Sequence, residues 1–318
     1  MSRRVVVLDD YQRVAAGFAD FSGLGEVDFV HEHLAGDALR ARLAGAEVVV
    51  AMRERTPFGA GEFAGLPDLR LLVTTGMVNA AIDLPAAAGH GVLVCGTGMA
   101  GTPTTATPTA ELTWALVLAL ARRVPAEDAG LRAGHWQLGV GLDLAGLTFG
   151  TIGLGKLGRR VARIAQAFDM EVLAWSENLD PSQARELGVE PVSKADLLRR
   201  SDVVSVHTRL SERTRGLLGA AELSTMKPTA FLVNTSRGPV VDTDALVAAL
   251  HAGTIAGAGL DVYDVEPLPL GHPLREAPNT VLTPHTGYVT QDSYRRMYLD
   301  AVEDVTAWRA GRPVRVLG

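Results

Sequence analysis

Gly153-Leu-Gly-Lys-Leu-Gly158 follows the apolar run Thr151-Ile152 and opens a helical pattern whose inner face is Val161, Ile164, Ala165 and Phe168. Strand, glycine loop and helix in that order form the context of a dinucleotide fingerprint. Gly153 suits the tight turn, Gly155 the close approach of backbone to a pyrophosphate, and Gly158 the close packing of helix on strand. The free amides through Lys156 and Leu157, with the helix dipole, then hold the anion. A further apolar strand, Val172 to Trp175, completes the unit.

Outward from this loop, short β-branched runs alternate with helical patterns almost from end to end, which predicts an α/β protein with parallel sheets. Strands are expected at Val5 to Leu8, Val27 to Val30, Val48 to Met52, Leu71 to Thr74 and Val92 to Val94, with a helix such as Asp37 to Leu43 between them. A second series runs through Thr151 to Ile152, Val172 to Trp175, Val203 to Val206, Phe231 to Asn234, Ala258 to Val262 and Thr280 to Leu282. These are two doubly wound parallel-sheet domains, one a Rossmann nucleotide-binding domain. The expected division is 1–98 with 289–318, a discontinuous domain closed by the helix Gln291 to Trp308, and 99–288. Gly96 to Pro103 has the composition of a hinge. The helix from Thr107-Pro108 to about Arg123 is apolar on every side and is expected to lie between the two domains.

Composition narrows the function classes. At 318 residues with 47% apolar content the chain can bury two cores. The 30 Lys and Arg against 36 Asp and Glu give a formal charge of −6, with no basic tract, so no nucleic acid partner is expected. The longest apolar run, Leu112 to Ala121, spans about ten residues where a membrane helix needs roughly twenty, so no membrane partner is expected either. The amino terminus reads as a first strand rather than a signal peptide. A single cysteine, Cys95, fits a reducing compartment, and a cytoplasmic location is the expectation. Cys95 reads as a buried inert thiol, Trp114 and Trp136 as packing residues, and His31 and His33 as an exposed strand face without a third metal ligand; no metal is expected.

An acidic residue at the end of the second strand would ordinarily bind the adenine ribose. Ser176 stands there, followed by Glu177 and Asn178. A carboxylate at Glu177 facing the pocket would repel a 2′-phosphate, which favours NAD; Arg209 keeps NADP open if its guanidinium reaches the adenosine pocket, although a solvated place in the charged stretch Arg209 to Arg215 suits it better. Polar residues gather at the later strand ends: His207, Asn234-Thr-Ser-Arg237-Gly, Asp261, Glu266 and Thr283-Pro-His285-Thr-Gly287. Reduction of a 2-oxo acid needs a hydride, a cation for the carboxylate and carbonyl, and an acid for the new alkoxide. Arg237 suits the second task because a guanidinium is permanently charged and forks onto a carboxylate. A histidine suits the third because its ordinary pKa lies near the working pH, and a carboxylate partner fixes its tautomer. His285 with Glu266 is that pair; His207 competes, although a wall of the site or a core position suits it better.

Gly153-Leu-Gly-Lys-Leu-Gly158, Asn234-Thr-Ser-Arg-Gly-Pro-Val-Val-Asp242, Gly259-Leu-Asp-Val-Tyr-Asp-Val-Glu-Pro-Leu268 and Thr283-Pro-His285 together resemble the D-isomer-specific 2-hydroxyacid dehydrogenase family, which includes glyoxylate and hydroxypyruvate reductases and D-3-phosphoglycerate dehydrogenase. The resemblance covers nearly the whole chain. It implies a flavodoxin-like substrate domain beside the nucleotide domain, with cofactor and substrate between them. Arg237, Glu266 and His285 are the implied catalytic residues, Asp261 meets the nicotinamide amide, and Thr235 and Ser236 lie along the nicotinamide. In the first domain, the amides of Gly76 and Met77 share the substrate carboxylate with Arg237, and Arg53 either meets a distal group of the substrate or has a supporting or surface position. A homodimer is also implied. Ser176 at the usual acid, Arg209 where proline is frequent and Tyr288 beside the Thr286-Gly287 turn depart from the pattern. An NADH-sensing binding protein, as in related corepressors, is the alternative; a formate dehydrogenase fits less well, because that branch resembles a glutamine–histidine pair.

Overall fold

The computed structural model describes residues 4–98 and 108–318; the expected hinge from 99 onward and the start of the helix at Thr107 lie outside the described residues. Contacts divide the chain into two units, Met1–Pro103 with Thr290–Gly318, and Thr104–Val289.

The first unit is a five-stranded parallel sheet of β1 (Val5–Val7), β2 (Val27–Phe29), β3 (Val48–Ala51), β4 (Leu71–Thr74) and β5 (Leu93–Gly96), in the order β2-β1-β3-β4-β5. Strands β1, β3 and β4 are buried along their whole length, because helices cover both faces of a parallel sheet. That burial is why they read as unbroken Val and Leu runs instead of alternating ones. The helix Gln291–Arg309 belongs to this unit and buries Tyr294, Met297, Tyr298, Ala301 and Val305. Beyond it the chain adds an antiparallel edge to β5: the Gly96 amide donates to Arg315 O and the Leu317 amide to Val94 O, each at 2.9 Å.

The second unit holds β6 (Thr148–Ile152), β7 (Glu171–Trp175), β8 (Glu190–Pro191), β9 (Val203–Val206), β10 (Phe231–Asn234), β11 (Gly257–Leu260) and β12 (Thr280–Leu282). Their order, β12-β11-β10-β9-β6-β7-β8, reverses between β6 and β9, so the crevice beyond the carboxyl ends of those two strands is where this topology binds ligands. The helix Pro108–Ala121 packs on β10, β11, β12 and the helix Lys156–Ala167 of its own unit. Its Trp114 stacks on Phe149 and Phe168, with ring centroids 5.4 and 5.0 Å apart.

Three expectations need correction. Trp136 is 78% exposed and packs no core. His31 and His33 lie past the end of β2 and not on an exposed strand face; both are half-buried, with Nδ1 of each 3.7 Å from a carboxylate, Asp10 for His31 and Asp9 for His33. Strand β6 begins earlier than Thr151, because Gly150 sits inside it: a Cβ there would meet Ser201 Oγ at 2.3 Å. Cys95 is buried as expected, and burial pushes its thiol up to about 11. Among the described residues no helix is long and apolar enough to cross a membrane, and none of the His, Cys, Asp and Glu clusters could hold a metal ion.

Candidate active site

The glycine loop lies at the switch point of the larger sheet. Gly153 has φ +99°, and a Cβ on it would stand 2.7 Å from His207 O; a Cβ on Gly158 would stand 2.1 Å from Gly153 O. Both positions therefore demand glycine, the first for its left-handed backbone and the second for close approach. The helix Lys156–Ala167 starts with Gly155 as N-cap and no side-chain cap, which leaves its first amides for a ligand. Lys156 is exposed and Leu157 half-buried against the core. These features fit a dinucleotide pyrophosphate.

The wall of the same crevice carries His207. Its Nε2 lies 2.9 Å from Ser205 Oγ, while Nδ1 is shut from water with no partner among the described residues. Burial pushes this imidazole down to about 4. Ser176 is half-buried at the end of β7, and the Glu177 carboxylate lies 3.1 Å from the Arg213 guanidinium.

At the other strand ends of the sheet, three loops are tied together. Asp261, 1% exposed after β11, accepts hydrogen bonds from Thr283 Oγ1 at 2.6 Å, the Thr286 amide at 2.7 Å and the Gly287 amide at 2.9 Å. Burial raises its pKa, and these donors oppose the shift. The loop they anchor carries His285, whose φ of +53° is unusual for a residue with a side chain and is held by the loop's bonds. His285 Nδ1 lies 2.5 Å from Glu266 Oε2. Glu266 Oε1 in turn accepts the Tyr263 amide at 2.9 Å, and the Tyr263 hydroxyl donates to Thr283 O at 2.9 Å. Tyr263 thus fastens the glutamate loop to the histidine loop. The Tyr288 ring stands edge-on to His285, centroids 5.5 Å apart.

Arg237 follows β10 in extended backbone, its Nη1 donating to Ser236 O at 2.8 Å. The next residue, Gly238, rests on the Tyr263 backbone, where a Cβ would come within 2.1 Å. That close approach sets the Arg237 segment beside the segment leading to Glu266. Thr235 is buried, with its hydroxyl 2.9 Å from Thr113 Oγ1, and Ser236 Oγ donates to Thr208 O; both hydroxyls engage the protein itself.

In the first unit, Arg53 and Gly76 come together. Arg53 has φ +52°, its amide donates to Thr75 Oγ1 at 2.8 Å, and its Nη1 donates to Thr75 O at 3.3 Å. A Cβ on Gly76 would stand 2.6 Å from that Nη1. Met77 follows, 44% exposed.

Sequence reading missed two parts of this arrangement. The anchoring by Asp261 and Tyr263 left no signal, since the bonds span loops many residues apart. The Glu177–Arg213 pair was equally hidden, although the run Arg209 to Arg215 marked the charge.

Residues 114–287 match the family model described as D-isomer specific 2-hydroxyacid dehydrogenase, NAD binding domain. The chain is 42% identical over 255 residues to a glyoxylate reductase from Aeropyrum pernix, covering 77% of this chain and 75% of that one. It is 34% identical over 268 residues to a D-3-phosphoglycerate dehydrogenase from Archaeoglobus fulgidus, covering 84% of this chain but 50% of that longer one. Among solved structures, a phosphoglycerate oxidoreductase from Vibrio cholerae superposes with a TM-score of 0.91 at 37% identity, over 97% of this chain and 99% of the other.

Proposed function

Because the chain belongs to the D-isomer specific 2-hydroxyacid dehydrogenase family and is an NAD-dependent dehydrogenase, we propose that it interconverts a small D-2-hydroxy acid and its 2-oxo acid, with His285 and Glu266 as the acid–base pair and Arg237 as the carboxylate anchor. The observation that carries the proposal is the 2.5 Å contact between His285 Nδ1 and Glu266 Oε2. A carboxylate at Nδ1 keeps a proton on that nitrogen, so Nε2 is the ring atom left to exchange a proton with substrate. In the reductive direction Nε2 gives its proton to the alkoxide oxygen, and Glu266 stabilises the imidazolium before transfer. A nicotinamide dinucleotide held by the glycine loop would supply the hydride chemistry. Arg237 holds the substrate carboxylate in its planar fork and draws charge from the adjoining carbonyl. The backbone of Gly153, Gly155, Lys156, Leu157 and Gly158 is assigned to the dinucleotide phosphates, and Ser176, Glu177 and His207 to its adenosine side.

Asp261, Thr235 and Ser236 are assigned to the nicotinamide side, and their protein bonds fix the backbone that would meet it. Arg53 and the amides of Gly76 and Met77 are assigned to substrate. A second copy of the chain is the partner this reading expects, and the larger unit exposes Leu131, Trp136, Leu138 and Val140 as an apolar surface for it.

The test is NADH absorbance in the presence of glyoxylate, hydroxypyruvate and pyruvate. Consumption with at least one is expected. Tight NADH binding without consumption of any 2-oxo acid would replace this reading with that of an NADH sensor.

A further inference from the structure

We propose that Glu177, positioned by Arg213, is the residue that selects a dinucleotide with a free adenosine 2′-hydroxyl over one carrying a 2′-phosphate. The inference rests on the dinucleotide lying across the glycine loop, and goes beyond that reading by naming what discriminates between its two forms.

A crevice of about 910 Å³ opens beyond the ends of β6, β7 and β9. Its floor is Gly153 to Gly155; one wall begins at Ser176 and the other at His207. The strand-end position that would ordinarily hold an acid offers only the Ser176 hydroxyl, which carries no charge. Two carboxylates stand in the walls. Asp180 is occupied as a helix cap, accepting from the Ser182 amide at 2.9 Å and from the Gln183 amide at 3.4 Å. Glu177 is the other, and its Oε2 lies 3.1 Å from Arg213 Nη1 on the opposite wall.

The chemistry of this pair is selective. An ionised carboxylate has about four acceptor sites, so Glu177 can hold Arg213 and still accept from a ribose diol. A 2′-phosphate carries a charge of about −1.5 to −2 and would be repelled by the same group. It would also have to compete for Arg213. With Glu177 removed, Arg213 and Arg209 become two uncommitted guanidiniums lining one crevice, a pattern that receives a phosphate. Discrimination therefore lies in one carboxylate that occupies a cation the 2′-phosphate would otherwise use. Both side chains are well exposed, at 55% and 68%, so the pair adds little to folding and can be altered without disturbing the core.

The experiment is equilibrium titration of the full chain with NADH and with NADPH, followed by nicotinamide fluorescence in the absence of any 2-oxo acid. Wild-type protein is expected to bind NADH at least about tenfold more tightly. Glu177→Ser should loosen NADH a few-fold and tighten NADPH by about tenfold or more, and adding Arg213→Ala should cancel the NADPH gain. Equal affinities in the wild type, a preference for NADPH, or a ratio unmoved by Glu177→Ser would overturn the proposal. Binding of neither dinucleotide would overturn it together with the cofactor assignment. The expected shift in ratio without turnover of any 2-oxo acid would support it while sinking the proposed reaction.

Discussion

His207 and His285 both stand past the carboxyl ends of strands in the larger sheet, yet their surroundings have little in common. His207 has a serine at Nε2 and, among the described residues, no partner at Nδ1, and burial holds it neutral down to about 4. His285 has a carboxylate at Nδ1, backed by a second layer of bonds from Tyr263, and its loop is pinned by Asp261. A ring that resists protonation cannot donate a proton near neutral pH, so the proposal gives the acid's task to the ring with a carboxylate behind it. Position at a strand end thus supplies the opportunity, and the neighbour decides the role.

Exchanging the two histidines' fates gives the largest expected effect. His285→Ala should lower kcat by about 10³-fold while leaving the NADH dissociation constant within a few-fold, as steady-state kinetics beside NADH titration would measure. A kcat loss of that size from His207→Ala, with His285→Ala mild, would reverse the assignment.

Asp261→Asn probes the scaffold under His285. An amide at that site must turn its NH₂ toward the amide of Thr286 or of Gly287, setting donor against donor, and the expected cost is about 1–3 kcal/mol of stability with roughly a tenfold fall in kcat. Denaturant unfolding and kinetics would read the two separately. Unchanged kcat with lost stability would show that the anchor does not tune the ring.

The smallest effect belongs to His207. Its pKa is lower in the folded protein, about 4 against 6.5, so the unfolded chain takes up the proton first as pH falls. The stabilising contribution is complete above 6.5 and disappears as the pH drops toward about 4, amounting to roughly 3 kcal/mol at most. Unfolding free energies of wild type and His207→Asn should converge over that window; parallel curves would mean that the ring is solvated in both states.

How much of this was legible in the sequence follows from what burial does to composition. Strands Leu71–Thr74, Val203–Val206 and Phe231–Asn234 have the bounds their apolar runs suggest, because a strand covered on both faces has little choice of residue. Glu190–Pro191 at the sheet edge has two residues and a proline, and carries no such mark. Of the site, Arg237, Glu266 and His285 were visible as chemistry left at strand ends. The contact of His285 with Glu266 was anticipated from their types. The Asp261 anchor was not, since its bonds depend on how two loops curl after leaving β11 and β12. Trp136 misled because an aromatic residue is ordinarily a core residue, and nothing local distinguishes one that faces outward.

The helix Gln291–Arg309 and the edge that follows it complete a unit whose strands lie at the opposite end of the chain. During synthesis the five strands of that unit leave the ribosome long before Tyr294, Tyr298 and Val305 exist to cover them. The larger unit, by contrast, is encoded without interruption and has all its parts in hand earlier. Covering of that sheet by Gln291–Arg309 therefore waits until the later segment has been made, whereas the larger unit does not depend on it.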